Sequence, residues 1–360
     1  MKITQLSHHE FLSIDRDYRK AAKAAELVYV NDGQPGIKRL KKGTGFTYIY
    51  DDKPVKGAGE IKRIRKLAIP PAWTNVWICS RENGHIQATG LDAMHRKQYR
   101  YHPLWEVLRN QTKFHRLYEF GKVLPALRLK IEEGLTKKEL CEEKVLAAVV
   151  SLMERTFIRI GNSGYEKLYG SFGLTTLKDR HVTFNGSTVA FAFKGKKGIE
   201  HTVTLKNKRL AKVVKACRDI PGKELFQYFD ASGKRQSIDS GAVNNYIKTV
   251  TGNDFTAKDF RTWAGSLHIL TAFKALGEAG STTECKRNIV TALDAVSKKL
   301  GNTRTVCRKY YVHPRLLQLY EENNLLKHLT QLDGIEEPDE KTGYTAAENV
   351  LMKILKTFSK

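Results

Sequence analysis

The chain has 360 residues, of which 41% are apolar, and its 62 Lys and Arg outnumber its 38 Asp and Glu. This length and apolar content exclude a basic tail or a small disulfide-stapled module, and they predict two folded domains. No run of 18 apolar residues occurs and the N-terminal sequence lacks a signal peptide's apolar core, so we expect a cytoplasmic protein without a membrane partner. Five scattered cysteines without a Cys-x-x-Cys pair argue against a disulfide framework or a structural zinc site.

The formal net charge of +24 at pH 7 favours a polyanionic partner, and nucleic acid is the foremost candidate. Residues 1–105 carry a net charge of +9, and residues 106–360 carry +15. Because both parts are basic, the distribution indicates two lobes that contact a polymer, rather than one basic arm. A merely very soluble or ribosome-associated protein is the alternative that charge alone leaves open.

Residues 1–105 are predicted to form a β-rich, positively charged domain, one of the two lobes that would contact the polymer. Four short runs rich in β-branched and aromatic residues are separated by turn-forming sequence. The predicted strands are Thr44–Tyr50, Val76–Ser80, His85–Thr89 and Lys97–Tyr101. Two basic clusters, residues 38–42 and 62–66, lie beside these strands and form either a binding surface or a solvated face.

Residues 106–360 are predicted to form a larger, mainly helical domain with a small sheet inserted. Apolar residues at helical spacing mark a helix over Leu140–Ile158, with Gly161-Asn162 as its stop. Residues 181–205 contain three alternating runs joined by short glycine-containing turns, which indicates a three-stranded antiparallel meander. The predicted fold class is therefore α+β: a small β-rich N-terminal domain and a mainly α-helical domain that contains a three-stranded sheet.

Capping sequences predict two further helices near the end of this domain. Thr256 with Asp259 and Ser281 with Glu284 have capping-box spacing, and the second helix should end at Gly301. The acidic segment Asp333–Glu340 is predicted to be a linker before a final amphipathic helix, Ala346–Phe358.

Four local sequences place a cation or a tyrosine where packing does not require one. Arg159 falls at the end of the first predicted helix, where it could merely complement the helix dipole. Lys196 lies in Gly-Lys-Lys-Gly at a hairpin tip, where most lysines are only solvated. Arg261 stands between Phe260 and Trp263 in the first turn of a capped helix, and two tyrosines follow the Gly301 stop among basic residues.

Together, two arginines, a lysine and a tyrosine suit phosphoryl transfer. A phenolate can attack a phosphodiester, arginines can neutralise the non-bridging oxygens, and a lysine can protonate the leaving oxygen. The P-loop pattern is absent, and no His-x-x-x-His or paired-carboxylate motif has ligand spacing. We therefore expect neither ATP nor a metal cofactor.

From about Gly36 to Leu317 the chain resembles the compact type IB DNA topoisomerases of bacteria and poxviruses. The motifs that carry the resemblance are RIGN, FKGKKG, KDFRTWAG, LGN and YYVHP, in this order. The resemblance implies five catalytic residues: Arg159, Lys196, Arg261, Asn302 and Tyr311. Tyr311 is favoured over Tyr310 because the family's nucleophile lies nine residues after the position of Asn302.

The resemblance also implies that the two basic domains, residues 1–105 and 106–360, form a clamp round the DNA, with contacts outside the catalytic set. Gln98, Tyr99 and Tyr101 would contact bases or backbone, Tyr165 a phosphate near the cleavage site, and Lys258 the DNA close to Arg261. Poxviral members have histidine at the position of Asn302. An amide can still donate a hydrogen bond to a phosphate oxygen, but it cannot supply the charge of an imidazolium.

The implied function is relaxation of positive and negative supercoils in double-stranded DNA by a nucleoid-associated monomer, without ATP or metal. One strand would be nicked through a 3′-phosphotyrosyl intermediate, rotated and religated. A tyrosine site-specific recombinase is the alternative, although recombinases usually have His-x-x-Arg where this chain has Lys258 and Arg261. A DNA-binding protein that has lost its chemistry is the other alternative.

Overall fold

The computed structural model describes residues 6–329 and 342–358, so the predicted acidic linker Asp333–Glu340 lies outside the described residues. The chain divides into two compact units between Arg116 and Leu117, inside the long helix α4, Pro103–Thr136. The predicted boundary near residue 105 falls at the beginning of this helix. Across the described residues, each helix is too short or too polar to cross a membrane.

The first unit contains a six-stranded antiparallel sheet in the order β3-β2-β1-β4-β5-β6. The four strands expected from the sequence are confirmed within about two residues at each end. The elements of this unit before α4 are α1 His8–Ile14, α2 Tyr18–Ala24, β1 Ile37–Lys42, β2 Gly45–Tyr50, β3 Lys53–Pro54, α3 Ala58–Lys66, β4 Thr74–Ile78, β5 Ile86–Leu91 and β6 Lys97–Tyr101.

One face of this sheet forms a small core against α3. Ile37 pairs with Ile78 across β1 and β4, Ile78 pairs with Ala88 on β5, and Ile64 of α3 is buried in the same cluster. Because side chains alternate along a strand, Trp77 projects from the opposite face.

The two basic clusters of this unit belong to regular elements that their composition did not indicate. Residues 38–42 make up most of β1, and residues 62–66 form the end of α3. Lysine-rich sequence has a low strand propensity, but pairing on both sides, with β2 and β4, overrides it. Helices α1 and α2 were likewise not predicted.

The second unit is mainly helical and contains the expected antiparallel meander, in the order β7-β8-β9. The predicted final helix, Ala346–Phe358, is confirmed. After α4, its elements are α5 Glu142–Thr156, α6 Ser163–Tyr169, β7 Val182–Asn185, β8 Thr188–Lys194, β9 Glu200–Lys206, α7 Lys208–Arg218, β10 Gln227–Phe229, β11 Arg235–Ser237, α8 Ser240–Thr251, α9 Ala257–Leu276, α10 Thr282–Leu300, α11 Arg304–Tyr310, α12 Pro314–Glu321, α13 Leu326–Leu329 and α14 Ala346–Phe358. The α+β fold class is thus confirmed.

Helix α9 lies in the middle of this unit's core. Thr256 and Asp259 form the predicted capping box at its start, which fixes the geometry of the first turn. Phe260 and Trp263 are buried and meet the ring of Phe120 edge-on, with centroids 5.0 and 6.0 Å apart. The direction of this helix is therefore set by large aromatic contacts on either side of Arg261.

Helix α5 ends earlier than the sequence indicated. It stops at Thr156, and Phe157 adopts a left-handed conformation with φ of 57°, whereas Asn162 begins α6 as its N-cap. A non-glycine residue rarely adopts this conformation, so local sequence does not announce it. The expected stop at Gly161-Asn162 is wrong, and Arg159 lies beyond the helix rather than in its last turn.

Helix α14 is attached to the core by a buried group of charges. Arg128 of α4 and Glu348 of α14 are 1% and 0% exposed, and the Arg128 guanidinium lies 2.5 Å from carboxylate oxygens of both Glu348 and Glu154. Burial alone would lower the pKa of Arg128, but the two carboxylates raise it above its ordinary value. Glu348 also accepts a hydrogen bond from the Trp263 indole, at 3.1 Å. The last helix is thereby tied to α9.

We expect Glu348→Ala to destabilise the protein by about 3–5 kcal/mol, because it leaves the Arg128 charge buried with one carboxylate fewer. Equilibrium unfolding in urea measures the loss. Lys356→Ala, at an exposed position of the same helix, is the matched control and should change the free energy of unfolding by less than about 0.5 kcal/mol. A Glu348→Ala loss no larger than that of the control would contradict the assignment.

Candidate active site

Arg261 is the buried centre of the candidate site. Its side chain extends from the first turn of α9, and the residue is 7% exposed. Its two terminal nitrogens donate to the carbonyl oxygens of Phe157 and Leu300, at 2.7 and 2.6 Å. These carbonyls lie at the C-terminal ends of α5 and α10, where a helix carries partial negative charge. The guanidinium is therefore held between two helix ends.

Arg159 and Asn302 are brought together beside this arginine. Arg159 Nη2 donates to the carbonyl oxygen of Gly301 at 2.8 Å and to Oδ1 of Asn302 at 2.7 Å. Gly301 ends α10 with φ of 57°, as its sequence position predicted. Burial and the neighbouring Arg261 charge lower the pKa of Arg159 to about 10, so the group stays charged at neutral pH.

Tyr311 follows α11 and lies against Arg261. The Arg261 Cζ atom is 5.2 Å from the centroid of the Tyr311 ring, within the range of a cation–π contact. The Tyr311 backbone packs so closely on α9 that a Cβ atom on Gly265 would stand 2.5 Å from its carbonyl oxygen. Tyr310 has a different neighbour, since the Lys309 ammonium lies 5.1 Å from its ring centroid. This arrangement supports Tyr311 as the tyrosine of the site.

A second nucleophile type, the thiol of Cys307, also lies near the two arginines. Cys307 is buried one turn before Tyr311. Burial raises the pKa of its thiol to about 11, despite the opposing effect of Arg261 and Arg159. Because the thiolate is the reactive form, Cys307 is inert at neutral pH.

Lys196 lies at the exposed tip of the β8–β9 hairpin. The turn is closed by hydrogen bonds from Gly195 N to the Ile199 carbonyl oxygen, at 2.8 Å, and from Gly198 N to the Gly195 carbonyl oxygen, at 3.0 Å. The Lys196 ammonium makes no hydrogen bond or ion pair with another described residue. The structure thus joins Arg159 with Asn302 and Arg261 with Tyr311, connects the two pairs through the backbone of Leu300 and Gly301, and leaves the lysine on the neighbouring hairpin.

His201 is a residue of this site that the sequence analysis missed. Its ring lies against two glycines, because a Cβ atom on Gly195 or on Gly301 would stand 2.5 Å from an imidazole carbon. The ring also stacks on Phe193, with centroids 5.2 Å apart. Burial, with smaller contributions from Arg159 and Arg261, lowers the pKa of His201, which favours the neutral ring. The sequence did contain a signal for His201: in β9 it alternates with Val203 and Leu205, so it shares their inward face.

The predicted DNA-contacting residues of the first unit lie on both faces of the sheet. Tyr99 and Tyr101 are exposed on the edge strand β6, and their rings stack with centroids 5.6 Å apart. Gln98 points to the opposite face and donates to Asp92 at 2.9 Å. The two tyrosines therefore form an accessible pair, whereas Gln98 is already engaged.

The two predicted contacts of the second unit are both exposed. Tyr165 lies on α6, is 46% exposed and stacks near Tyr169, with ring centroids 6.1 Å apart. Lys258 lies three residues before Arg261 in the first turn of α9 and is exposed. Over residues 6–329 and 342–358, no three His, Cys, Asp or Glu side chains form a group that could hold a metal ion.

Comparison with protein families and curated proteins matches most of the chain to one enzyme class. The family model of the eukaryotic DNA topoisomerase I catalytic core matches residues 98–333, and that of the bacterial DNA topoisomerase IB N-terminal domain matches residues 45–92. DNA topoisomerase 1B of Acanthamoeba polyphaga mimivirus is 33% identical over 298 residues, which cover 80% of this chain and 88% of the viral protein.

Poxviral proteins are more distant relatives. DNA topoisomerase 1B of Vaccinia virus (strain Copenhagen) is 25% identical over 243 residues, which cover 66% of this chain and 73% of the relative. DNA topoisomerase 1 of Rabbit fibroma virus is 24% identical over 289 residues, which cover 76% and 88%. The catalytic-core model matches more than half of this chain. The chain therefore belongs to the type IB DNA topoisomerases, a family of isomerases that act on DNA.

Proposed function

We propose that this enzyme relaxes positive and negative supercoils by nicking one strand of double-stranded DNA, allowing rotation, and religating the nick. The observation that carries the proposal is the position of Arg261: its buried guanidinium is 5.2 Å from the Tyr311 ring. A phosphate placed beside that ring would meet a cation that is already fixed by two backbone carbonyls.

In the proposed reaction Tyr311 gives its phenolic proton to solvent water, and its oxygen attacks the phosphodiester. The bond between phosphorus and the 5′ oxygen breaks, a 3′-phosphotyrosyl ester forms, and the 5′ oxygen takes a proton to leave as a hydroxyl. The ester conserves the phosphodiester's bond energy, so the reverse attack by the 5′-hydroxyl needs no ATP. No metal ion is part of the proposal.

Arg159, Arg261 and Asn302 are proposed to bind the non-bridging oxygens of the phosphate. Preorganised donors of this kind stabilise charge as it develops, without reorganisation at the moment of reaction. Asn302 Oδ1 is occupied by Arg159, which leaves the amide Nδ2 hydrogens directed elsewhere. Their one contact in the described structure, with the Leu300 carbonyl oxygen, is long at 3.5 Å, so an Nδ2 hydrogen is available to a phosphate.

Lys196 is proposed to be the general acid that protonates the leaving 5′ oxygen. A lysine whose ammonium has no carboxylate partner can approach a phosphodiester without first breaking an ion pair. Its place in a tight turn limits the positions that the ammonium can reach, which favours a single leaving group.

Tyr99, Tyr101, Tyr165 and Lys258 are proposed to contact the duplex, and the enzyme is proposed to act as a monomer associated with the nucleoid. Gln98 belongs to the same proposal, with its hydrogen bond to Asp92 exchanged for one to DNA. A tyrosine site-specific recombinase is the competing function. It would require paired DNA sites and a tetramer, whereas the proposed enzyme acts alone on any supercoiled plasmid.

We expect the wild-type protein to relax plasmids of either supercoil sign in EDTA and without ATP, and we expect Tyr311→Phe to be inactive because it lacks the attacking oxygen. Tyr310→Phe is the matched control, since it removes the same atom from the neighbouring residue, and it should relax both plasmids. Gel electrophoresis of topoisomers measures all three proteins. Activity of Tyr311→Phe together with loss in Tyr310→Phe would reassign the nucleophile, and an inactive wild type would overturn the proposed reaction.

Replacing either site arginine should slow cleavage sharply. We expect Arg159→Ala and Arg261→Ala each to reduce the single-turnover cleavage rate by about 10²–10³, the cost of removing one preorganised donor. Arg304→Ala is a suitable control, because Arg304 begins α11 but pairs with Asp294 at the surface. It should change the rate by less than about threefold. Rates of the site variants within the range of this control would refute the assignment.

A further inference from the structure

The helices α1 and α2 lie outside both matched family regions and form a surface of their own. A cavity of about 470 Å³ opens there, lined by Ser13, Arg16, Asp17, Tyr18, Arg19 and Tyr29. We call the part formed by Arg16, Tyr18, Arg19 and Tyr29 the N-terminal arginine surface. All of these residues belong to the first unit.

The positive charge of this surface is not neutralised within the protein. Arg16 and Arg19 are exposed and pair with no carboxylate in the described part of the chain, and the Arg19 guanidinium lies 5.9 Å from the Tyr29 ring centroid. Asp17 lines the same cavity, but its carboxylate caps α2 by accepting from two backbone N–H groups and pairs with Lys20 at 3.4 Å. The arginines therefore remain available to an anion.

This surface continues to the exposed tyrosine pair of β6. Tyr18 is 50% exposed, and the Arg109 guanidinium lies 5.2 Å from its ring centroid. Tyr18 and Arg109 are also both close enough to Tyr101 to influence its ionisation, although burial is the main cause of its raised pKa. A ligand on Tyr99 and Tyr101 thus has a neighbouring surface with further cations and phenolic hydroxyls.

We propose that the N-terminal arginine surface binds the sugar-phosphate backbone of duplex DNA, adjacent to the DNA that the Tyr99 and Tyr101 pair contacts. The proposal rests on the proposed function, because it assumes that this pair faces DNA. Guanidinium groups and tyrosine hydroxyls are the usual donors to phosphate oxygens, and such contacts position a duplex without reading its sequence. An acidic protein is the other partner that such a surface could take, and the test separates the two.

The experiment measures duplex affinity at several salt concentrations, with Arg16→Ala/Arg19→Ala made in the Tyr311→Phe background to prevent cleavage. Loss of two phosphate contacts should reduce the slope of log K against log salt by about 1.8. The affinity itself should fall at low salt, because two phosphate contacts are lost. Lys212→Ala/Lys215→Ala, which removes two exposed cations from α7, is the matched control and should leave the slope unchanged.

Unchanged affinity and slope would overturn this proposal and point to a protein partner. The proposal is also overturned if the control variant loses as much affinity and slope as the test variant, because the effect would then be one of net charge. Binding is measured without cleavage, so failure of the relaxation assay would count against the proposed function alone.

An independent observation concerns His201, whose ring fills the space between Gly195 and Gly301. Gly301 needs glycine for its left-handed conformation, but Gly195 has φ of −91°, which any residue adopts. Glycine at position 195 is therefore explained by the close approach of the imidazole, which leaves no room for a Cβ atom. The ring is held by stacking on Phe193.

This contact connects the two parts of the site that share no hydrogen bond in the described structure. Gly195 immediately precedes Lys196, and Gly301 supplies the carbonyl that holds Arg159. We infer that His201 is a positioning residue, which sets the distance of the Lys196 turn from the Arg159 and Asn302 pair. The inference rests on the proposed function, because it assumes that Lys196 delivers the proton to the leaving oxygen.

The test uses single-turnover cleavage of a substrate in which sulfur replaces the leaving 5′ oxygen. A thiol has a pKa near 8.5, far below that of an alcohol, so the sulfur leaves as a thiolate without a proton from Lys196. With the ordinary substrate, His201→Ala should slow cleavage by up to about 10²-fold, with DNA affinity unchanged. With the sulfur substrate, the deficits of His201→Ala and Lys196→Ala should both disappear, whereas that of Arg159→Ala should persist.

Gly195→Ala provides a second variant, because its new methyl group must displace the same ring, and it should show the same recovery with sulfur. A deficit of His201→Ala or Gly195→Ala that persists with the sulfur substrate would overturn the positioning role, as would full activity of both variants on the ordinary substrate. If Lys196→Ala itself fails to recover, the general acid of the proposed function is wrong.

Discussion

The buried guanidinium of Arg261 is the constraint on which the rest of the site depends. A charge removed from water must find hydrogen-bond partners, and Arg261 finds them in the carbonyl oxygens of Phe157 and Leu300. This requirement brings the C-terminal ends of α5 and α10 to the first turn of α9. Arg159 follows Phe157 by two residues, and Asn302 follows Leu300 by two. The same pair of hydrogen bonds therefore fixes the backbone from which the side chains of Arg159 and Asn302 extend.

Helix α9, which carries Arg261, also positions Tyr311. On one side its Gly265 lets the backbone of Tyr311 approach closely. On another side its Trp263 donates to Glu348, whose charge is balanced by Arg128. The last helix of the chain thus supports the element that carries Arg261, although it contributes no residue to the catalytic set.

Arg128 and Arg261 are buried and Arg159 is half-buried, but the three arginines differ in their partners, and the difference separates a structural role from a chemical one. Arg128 forms ion pairs with the carboxylates of Glu154 and Glu348, so its charge is balanced within the protein. Arg159 and Arg261 are held by neutral carbonyl and amide oxygens, with no carboxylate partner in the described part of the chain. Neutral partners fix the orientation of a guanidinium while leaving its net charge for a phosphate. Arg16 and Arg19, at the surface of the first unit, share this lack of carboxylates.

The sequence by itself determined the features that depend on neighbouring residues. The capping box at Thr256, the stop at Gly301 and the meander all follow from local hydrogen bonds, turn chemistry and side-chain alternation, and the structure has each of them. The order of the motifs identified the family for the same reason, because short motifs can be read without knowing which distant residues are in contact. Only the tertiary structure decided what depends on distant partners. Phe157 ends α5 in a left-handed conformation and its carbonyl accepts from the distant Arg261, and the lysine-rich β1 is a strand because it has neighbours on both sides. His201 meets Gly301 from 100 positions away in the chain, and a contact of that kind leaves no local pattern to read.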